Sequence, residues 1–479
     1  MANPLKDLKH VHIIGVGGTL MGAFAAFLKR AGIRVTGTDN KIYPPMSDIL
    51  EKAGIEVYTG YNSENIFQFK EKPDWIVVGN VITPKNVEAQ FAINQGYRYT
   101  SLPEFMEKVM LKNTRNIVVS GTHGKTTTSC MLAHVLNQCG KNPNYFIGGV
   151  SQDLPHSFHV SSLEHSVPFV IEGDEYDTAF WDKVPKFNHY LPDDVILTSV
   201  EYDHADIYPD MSAVIRAFDG LVSRVRPGGR MIVCVDYPPI PDLVMKSRAP
   251  VITYSAKNNG NARFAPANVR VGETTTFDVM ENGKKRESLE IGVPGEHNVL
   301  NALAVWIQTQ EMGIPSADVR AALKSFKGVK RRQEVRGEIK GITVIDDFAH
   351  HPTAVRETVK ALKQKYSGRR LVVVFEPRSA TSRRKVFQKA YAESFEDMGL
   401  VFIAKPYDQS TITSNDQFSS DQLVDDINKR GVKAQVMKPV AEGGVEQVAA
   451  SLKSGDVVAV LSNGGFDGFI GKLLDQLKS

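Results

Sequence analysis

Short unbroken runs of apolar residues alternate with stretches of helical spacing along most of this chain, the rhythm of parallel strands joined by crossover helices. Residues 11–14, Val-His-Ile-Ile, read as a buried strand. A turn at Gly15 to Gly18 opens a helix with Met21, Phe24, Ala25 and Leu28 on one face, closed by Gly32, and a second strand runs to Asp39. Residues 75–78 form a later strand. At Ile117 the pattern restarts: a strand to Ser120, a glycine turn, and a helix reaching about Cys139 with Gly140 as its C-cap. Residues 169–171 and 195–197 are further buried strands, each followed by acidic residues or His at the strand end, where open α/β sheets hold ligands. Around Asn282-Gly283 the pattern turns to alternation, the mark of a hairpin, so some antiparallel sheet is expected there. Gly295 opens another helix, and after Arg336 the βα rhythm resumes with strands at 342–345, 371–375, 400–404 and 457–461. The expectation is an α/β protein of three domains: a Rossmann-like unit at 1–113, a central phosphate-loop unit with some antiparallel sheet at 114–334, and a Rossmann-like unit at 335–479.

The length of 479 residues agrees with three domains, and 42% hydrophobic with 23% charged residues is the balance of packed globular units. Lys and Arg number 57 against 54 Asp and Glu, without a long block of one sign, so nucleic acid is not the expected partner. Three cysteines with no CxxC pair offer neither a disulfide framework nor a zinc knuckle and point to the reducing cytoplasm. Residues 11–28 carry no formal charge and follow Lys6 and Lys9, yet Gly15, Gly17, Gly18 and Gly22 break the run. That segment reads as strand, turn and helix rather than a membrane span, and no membrane association is expected.

The strongest chemical signal is Gly121-Thr122-His123-Gly124-Lys125-Thr126-Thr127-Thr128, between a buried strand and a helix. Backbone N–H groups of such a loop turn towards phosphate oxygens, the helix N-terminus adds partial positive charge, Lys125 reaches the β- and γ-phosphates, and the Thr126 hydroxyl can hold Mg²⁺. Val119 stands where the longer form of this loop has its first glycine. Glu172 ends a strand and can hold the same metal, and His204 follows another strand end as a candidate for a second cation. Asp174, Glu175 and Asp177 read as a solvated acidic loop, with a direct metal role for one of them as the alternative. The first loop, Gly15, Gly17, Gly18 and Thr19, is a weaker pyrophosphate signal because Leu20 replaces the third glycine of the dinucleotide fingerprint, and Asp39 stands at the ribose-binding position. That loop alone leaves a nicotinamide dehydrogenase open, and the phosphate loop alone leaves a nucleotide-switched binding protein open. A second, Lys-Thr phosphate loop has no use in hydride transfer.

GTHGKTTT at 121–128, the Glu172 region, EYDHAD at 201–206, GEHN at 295–298, RRQEVRG at 331–337 and DDFAHHP at 346–352 together resemble the Mur ligases, ATP-dependent amide-bond-forming enzymes of peptidoglycan synthesis. The resemblance covers nearly the whole chain and implies ATP and Mg²⁺, with UDP-N-acetylmuramate on the first domain, ATP on the second and the amine on the third. It implies Lys125, His204 and Arg332 as catalytic residues, and Thr126, Glu172 and His204 as metal ligands. The nucleotide would be held by Gly121 to Thr127, by His297 and Asn298 at the adenine, by Asp347 at the ribose, and by Arg332 and His350. The UDP substrate would be held by Gly15, Gly17, Gly18, Thr19 and Asp39. Tyr43 to Ser47, Phe375 to Ser379 and Ser462 to Phe466 are similar to members that take the tripeptide L-alanyl-γ-D-glutamyl-meso-diaminopimelate, with Arg378, Ser379, Asn463 and Gly464 binding it. Addition of L-alanine is the alternative; those members are expected to carry His-Arg where this chain has Arg378-Ser379. Many members keep a carbamylated lysine some 15 residues past the His204 position; Asp219 stands there, and no lysine occurs between Lys186 and Lys246. No obligate protein partner is implied.

Overall fold

The computed structural model describes residues 5–42, 46–69, 71–257 and 260–479; Tyr43, Pro44 and Pro45 of the Tyr43 to Ser47 segment lie outside them. The chain builds three principal sheets in succession. The first has five parallel strands, His10–Ile14, Arg34–Asp39, Glu56–Thr59, Trp75–Val78 and Tyr99–Ser101, in the order third, second, first, fourth, fifth. The order reverses at His10–Ile14, and Gly15 to Gly18 leave that strand at the resulting crevice, where open α/β sheets bind ligands.

The second sheet has ten strands. Arg115–Ser120 lies in its interior, parallel to Asp194–Leu197 on one side and Pro168–Gly173 on the other. Ile117, Val118 and Val119 are wholly buried because both faces of this strand are covered, which accounts for the unbroken apolar run. The helix Lys125–Gln138 packs on the helix Glu296–Glu311 and is buried from Thr128 to Leu136, so it carries no solvent-facing stripe there. At one edge Phe264–Val271, Thr275–Glu281 and Lys284–Ile291 run antiparallel, the last two joined through Asn282-Gly283, so the expected antiparallel part is present. A small pair, Asp177–Ala179 with Asp182–Pro185, stands apart from the three principal sheets.

The third sheet has six strands, with Val457–Leu461 between Ile342–Asp347 and Leu371–Phe375, all three parallel. Their C-terminal ends therefore bring three distant segments together: Asp347, Ser462 to Gly464, and Glu376 to Arg378. No helix among the described residues is long and apolar enough to cross a membrane.

Candidate active site

The central strand order brings three loops to one place: Gly121 to Gly124 leaves Arg115–Ser120, Glu172 lies within Pro168–Gly173, and Thr198 to His204 follows Asp194–Leu197. Gly121 is held at φ +136°, and a Cβ there would lie 2.3 Å from Thr198 Oγ1, so only glycine lets the two loops touch. His123 N donates to Ser199 Oγ at 2.8 Å, and Thr122 N donates to the Ser199 carbonyl at 3.1 Å. These bonds brace the loop against the neighbouring strand end.

Lys125 begins the helix, and its ammonium donates to the carbonyl of Gly121 at 2.6 Å and to Glu175 Oε1 at 3.0 Å. Burial works against its charge, but the Glu175 and Asp174 carboxylates outweigh burial and raise its pKa. Glu175 is only 3% exposed and does not belong to a solvated loop as its sequence setting suggested. His204 Nε2 lies 2.9 Å from the same Oε1, so Glu175 joins Lys125 to His204. Burial opposes the ionisation of Glu175, and Lys125 with His204 overcomes it, holding the carboxyl below its usual range. Asp174 is paired with Lys186 at 2.5 Å, while Asp177 meets the exposed Lys183.

Thr126 Oγ1 donates to Glu172 Oε1 at 2.7 Å, and Gly148 N donates to Glu172 Oε2 at 2.6 Å. Burial raises the Glu172 pKa in spite of both bonds. A hydroxyl beside a carboxylate whose charge is poorly solvated is a donor set suited to a hard divalent cation. Thr126 and Glu172, in direct contact, therefore fit Mg²⁺ chemically, while His204 meets Glu175 through Nε2.

His123, Glu201 and His351 also gather, their possible ligand atoms within 4.8 Å of one another. The His351 nitrogens are already used, Nε2 against the Tyr202 carbonyl at 3.2 Å and Nδ1 against Thr353 N at 3.3 Å, so this histidine caps the helix Pro352–Lys365. Thr127 follows Thr126 in the first turn of the Lys125–Gln138 helix.

The link to the third sheet runs through Arg331 to Gln333. Arg332 lies over the Phe348 ring at 4.9 Å, and its charge acts on both Asp347 and His297. Arg331 donates to the Ser462 and Gly464 carbonyls at 2.7 Å each and holds the third sheet to the link. Asp347 is buried, accepts from Gln333 N at 2.8 Å and Ala349 N at 2.7 Å, and burial raises its pKa. Burial pushes His297 down to about 4, so its imidazole is neutral, and Nδ1 has no hydrogen-bond partner. Asn298 donates to the Pro294 carbonyl at 2.7 Å and accepts from Asn301. His350 lies 3.9 Å from Asp203 and is held neutral by burial.

In the first sheet Gly17 N donates to Asp39 Oδ2 at 2.8 Å, and Gly18 caps the helix that starts at Thr19. Tyr61, which sequence reasoning did not single out, donates to Asp39 Oδ1 at 3.3 Å. In the third sheet the Arg378 guanidinium lies 3.7 Å over the Tyr407 ring and 3.2 Å from Glu376 Oε1. A Cβ on Gly464 would lie 2.0 Å from Arg378 Nε, so Arg378 crosses directly over this glycine. Asn463 Oδ1 is buried without a partner, and Ser379 Oγ donates to Ser382 Oγ at 2.9 Å. Arg378, Asn463 and Gly464 come together although some 85 residues separate them. Tyr407, Glu376, Arg331, Glu175 and Thr381 were the residues missed as site members; only the Glu376 and Glu175 positions, at strand ends beside recognised motifs, carried a local signal.

Three family models match the chain: one described as the catalytic domain of the Mur ligase family over residues 10–114, the Mur ligase middle domain over 119–308, and the Mur ligase glutamate ligase domain over 331–464. The UDP-N-acetylmuramate–L-alanyl-gamma-D-glutamyl-meso-2,6-diaminoheptandioate ligase of Escherichia coli (strain K12) is 36% identical over 470 residues, which is 98% of each chain. A UDP-N-acetylmuramate–L-alanine ligase of Pelotomaculum thermopropionicum is 32% identical over 457 residues, 95% of each chain. The crystal structure of a murein peptide ligase from Psychrobacter arcticus 273-4 superposes with a TM-score of 0.71 at 33% identity, covering 98% of this chain and 99% of that one.

Proposed function

The chain belongs to the Mur ligase family, and from that premise we propose that it joins UDP-N-acetylmuramate to the tripeptide L-alanyl-γ-D-glutamyl-meso-diaminopimelate at the expense of ATP, in recycling of peptidoglycan in the cytoplasm. The observation that carries this reading is the contact between the segment bearing Arg378 and the loop bearing His204, made where Thr381 Oγ1 donates to Asp203 Oδ1 at 2.7 Å. A ligase needs the activated carboxyl and the incoming amine side by side, and that contact sets the two motifs next to each other.

A carboxylate does not react with an amine until one oxygen becomes a leaving group. The lactyl carboxylate attacks the γ-phosphorus, the bond to the β-phosphate oxygen breaks, and ADP leaves an acyl phosphate behind. Lys125 and Arg332 supply positive charge where it develops on the transferred group. Thr126, Glu172 and His204 would hold Mg²⁺, which would supply neutralisation of phosphate charge. The amine nitrogen then attacks the acyl carbon, phosphate departs with the carbon–oxygen bond, and the nitrogen gives up a proton. Neutral His297 and Asn298 serve the adenine, Asp347 the ribose, and His350 the closing edge of this site. On the first sheet Gly15, Gly17, Gly18, Thr19 and Asp39 receive the UDP moiety, and on the third Arg378, Ser379, Asn463 and Gly464 receive the peptide. The units are 1–113, 114–334 and 335–479.

Arg378 supports the tripeptide, because a guanidinium seated over the Tyr407 ring suits bidentate binding of one of the additional carboxylates that the tripeptide carries and L-alanine lacks. The second reading, addition of L-alanine, is favoured by the full-length match to the Pelotomaculum relative. Phosphate release that requires UDP-N-acetylmuramate, ATP and an amine together, with the product mass confirmed, tests the ligase reading; steady hydrolysis without the amine contradicts it.

A further inference from the structure

We propose that Thr381 is a positioning residue that couples the peptide site to the metal-binding His204. The inference rests on the roles given above to Arg378 and His204. His204 is held at φ +55°, in the left-handed region that a non-glycine residue keeps only where its surroundings impose it. The imposing contacts bracket it. Asp203 Oδ1 accepts from His204 N at 2.7 Å, and it accepts again from the Thr381 hydroxyl at 2.7 Å. The same hydroxyl accepts from Ala205 N at 3.1 Å. One oxygen of the third sheet's loops therefore donates to the residue before His204 and accepts from the residue after it. Thr381 is 2% exposed, so water does not replace these bonds while the loops are together. With the backbone so held, the imidazole reaches Glu175 at 2.9 Å.

The other end of the coupling is the Arg378 turn. Ser382 N donates to Ser379 Oγ at 2.9 Å and Arg383 N donates to the Ser379 carbonyl at 3.2 Å, closing a tight turn around Thr381. A ligand that shifts Arg378 or Ser379 moves Thr381 with them, because the turn has no slack between these residues. His351 and Thr353 also touch the loop, at Tyr202 and Glu201, but they lie to one side of His204 and do not bracket it. Peptide binding is thereby read at the nucleotide site through one hydroxyl.

The full-length chain with Thr381→Val, which keeps the shape and removes the hydroxyl, tests this beside Thr381→Ser, which restores it. Mn²⁺ binding in the presence of ADP, read by electron paramagnetic resonance of free Mn²⁺, should weaken about tenfold in Thr381→Val and stay within about threefold of wild type in Thr381→Ser. With the tripeptide, Thr381→Val should lose kcat by about tenfold or more while KM for the tripeptide changes less than about twofold. Unchanged Mn²⁺ affinity in Thr381→Val, or a Thr381→Ser variant as impaired as Thr381→Val, overturns the proposal. If Thr381→Val does not fold, Asp203→Ala, which removes the oxygen that accepts from both Thr381 and His204, must show the weakened Mn²⁺ binding, and unchanged affinity there overturns it equally. Wild-type protein that binds Mn²⁺ with ADP but does not ligate the tripeptide refutes the substrate assignment alone.

Discussion

Lys125 and Glu175 form a buried ion pair, Nζ 2.9 Å from Oε2, at the start of the helix that follows the phosphate loop. The lysine assigned to the γ-phosphate is held by a carboxylate that also holds His204, so one acid sets the position of two cationic or cation-binding groups. Lys125→Ala should lower kcat/KM for ligation on the order of 10²-fold or more, by loss of charge stabilisation in the transferred phosphoryl group. It also leaves Glu175 without its main partner, at a cost of about 3 kcal/mol. Lys125→Ala with Glu175→Gln should therefore melt higher than Lys125→Ala alone while remaining inactive. Thermal melts and phosphate release check both statements; a folded Lys125→Ala that keeps half its turnover refutes the loop assignment.

Gly464→Ala puts a methyl group 2.0 Å from Arg378 Nε, and the guanidinium must leave the Tyr407 face. KM for the tripeptide should rise about tenfold, as for loss of one charge-assisted contact of roughly 1.5 kcal/mol, with KM for ATP unchanged. Steady-state kinetics with each substrate varied in turn decides this, and an unchanged tripeptide KM removes Arg378 from the peptide site.

The parts of this fold that were legible in the sequence are those whose cause is local. Unbroken apolar runs mark the strands at 117–119, 169–171 and 457–461 because both faces of each are covered, and the glycine turn at 121–124 declares itself by composition. Glu175 was misread because nothing near it in sequence shows that Lys125, 50 residues earlier, meets it across neighbouring strands. Thr381 and Asp203 are 178 residues apart, and their bond exists only because two separate sheets close on each other. Asp39 stands where a ribose-binding acid belongs, yet its oxygens also brace the glycine loop through Gly17 and meet Tyr61, which the spacing did not reveal.

Burial pushes the His351 pKa down to about 3 from an ordinary value near 6.5. A histidine kept neutral in the folded state stabilises the fold above the unfolded pKa, and that contribution is lost as pH falls below 6.5, at about 1.4 kcal/mol per pH unit. His351→Asn keeps a side chain able to cap Pro352–Lys365 and does not titrate. In urea unfolding, the variant should lose about 2 kcal/mol less than wild type between pH 7 and pH 5. Equal losses in both proteins contradict the neutral, buried state of His351.

Asp219, at the position where the family resemblance leads one to expect a carbamylated lysine, is half-buried and pairs with the exposed Lys246 at 2.9 Å. Turnover should be indifferent to dissolved CO₂. Ligation measured in bicarbonate-stripped buffer at mildly acidic pH, then with bicarbonate restored, checks this; rescue by bicarbonate means that another lysine supplies a carbamate.

The identity of the amine is decided by offering the enzyme UDP-N-acetylmuramate, ATP and Mg²⁺ with either the tripeptide or L-alanine at equal concentration. Phosphate release should show a higher kcat/KM with the tripeptide, the product mass should equal that of the UDP-muramyl tripeptide, and the loss in Arg378→Ala should fall most heavily on the tripeptide. A preference for L-alanine contradicts the tripeptide assignment and makes this chain an alanine-adding ligase that uses the same phosphate loop.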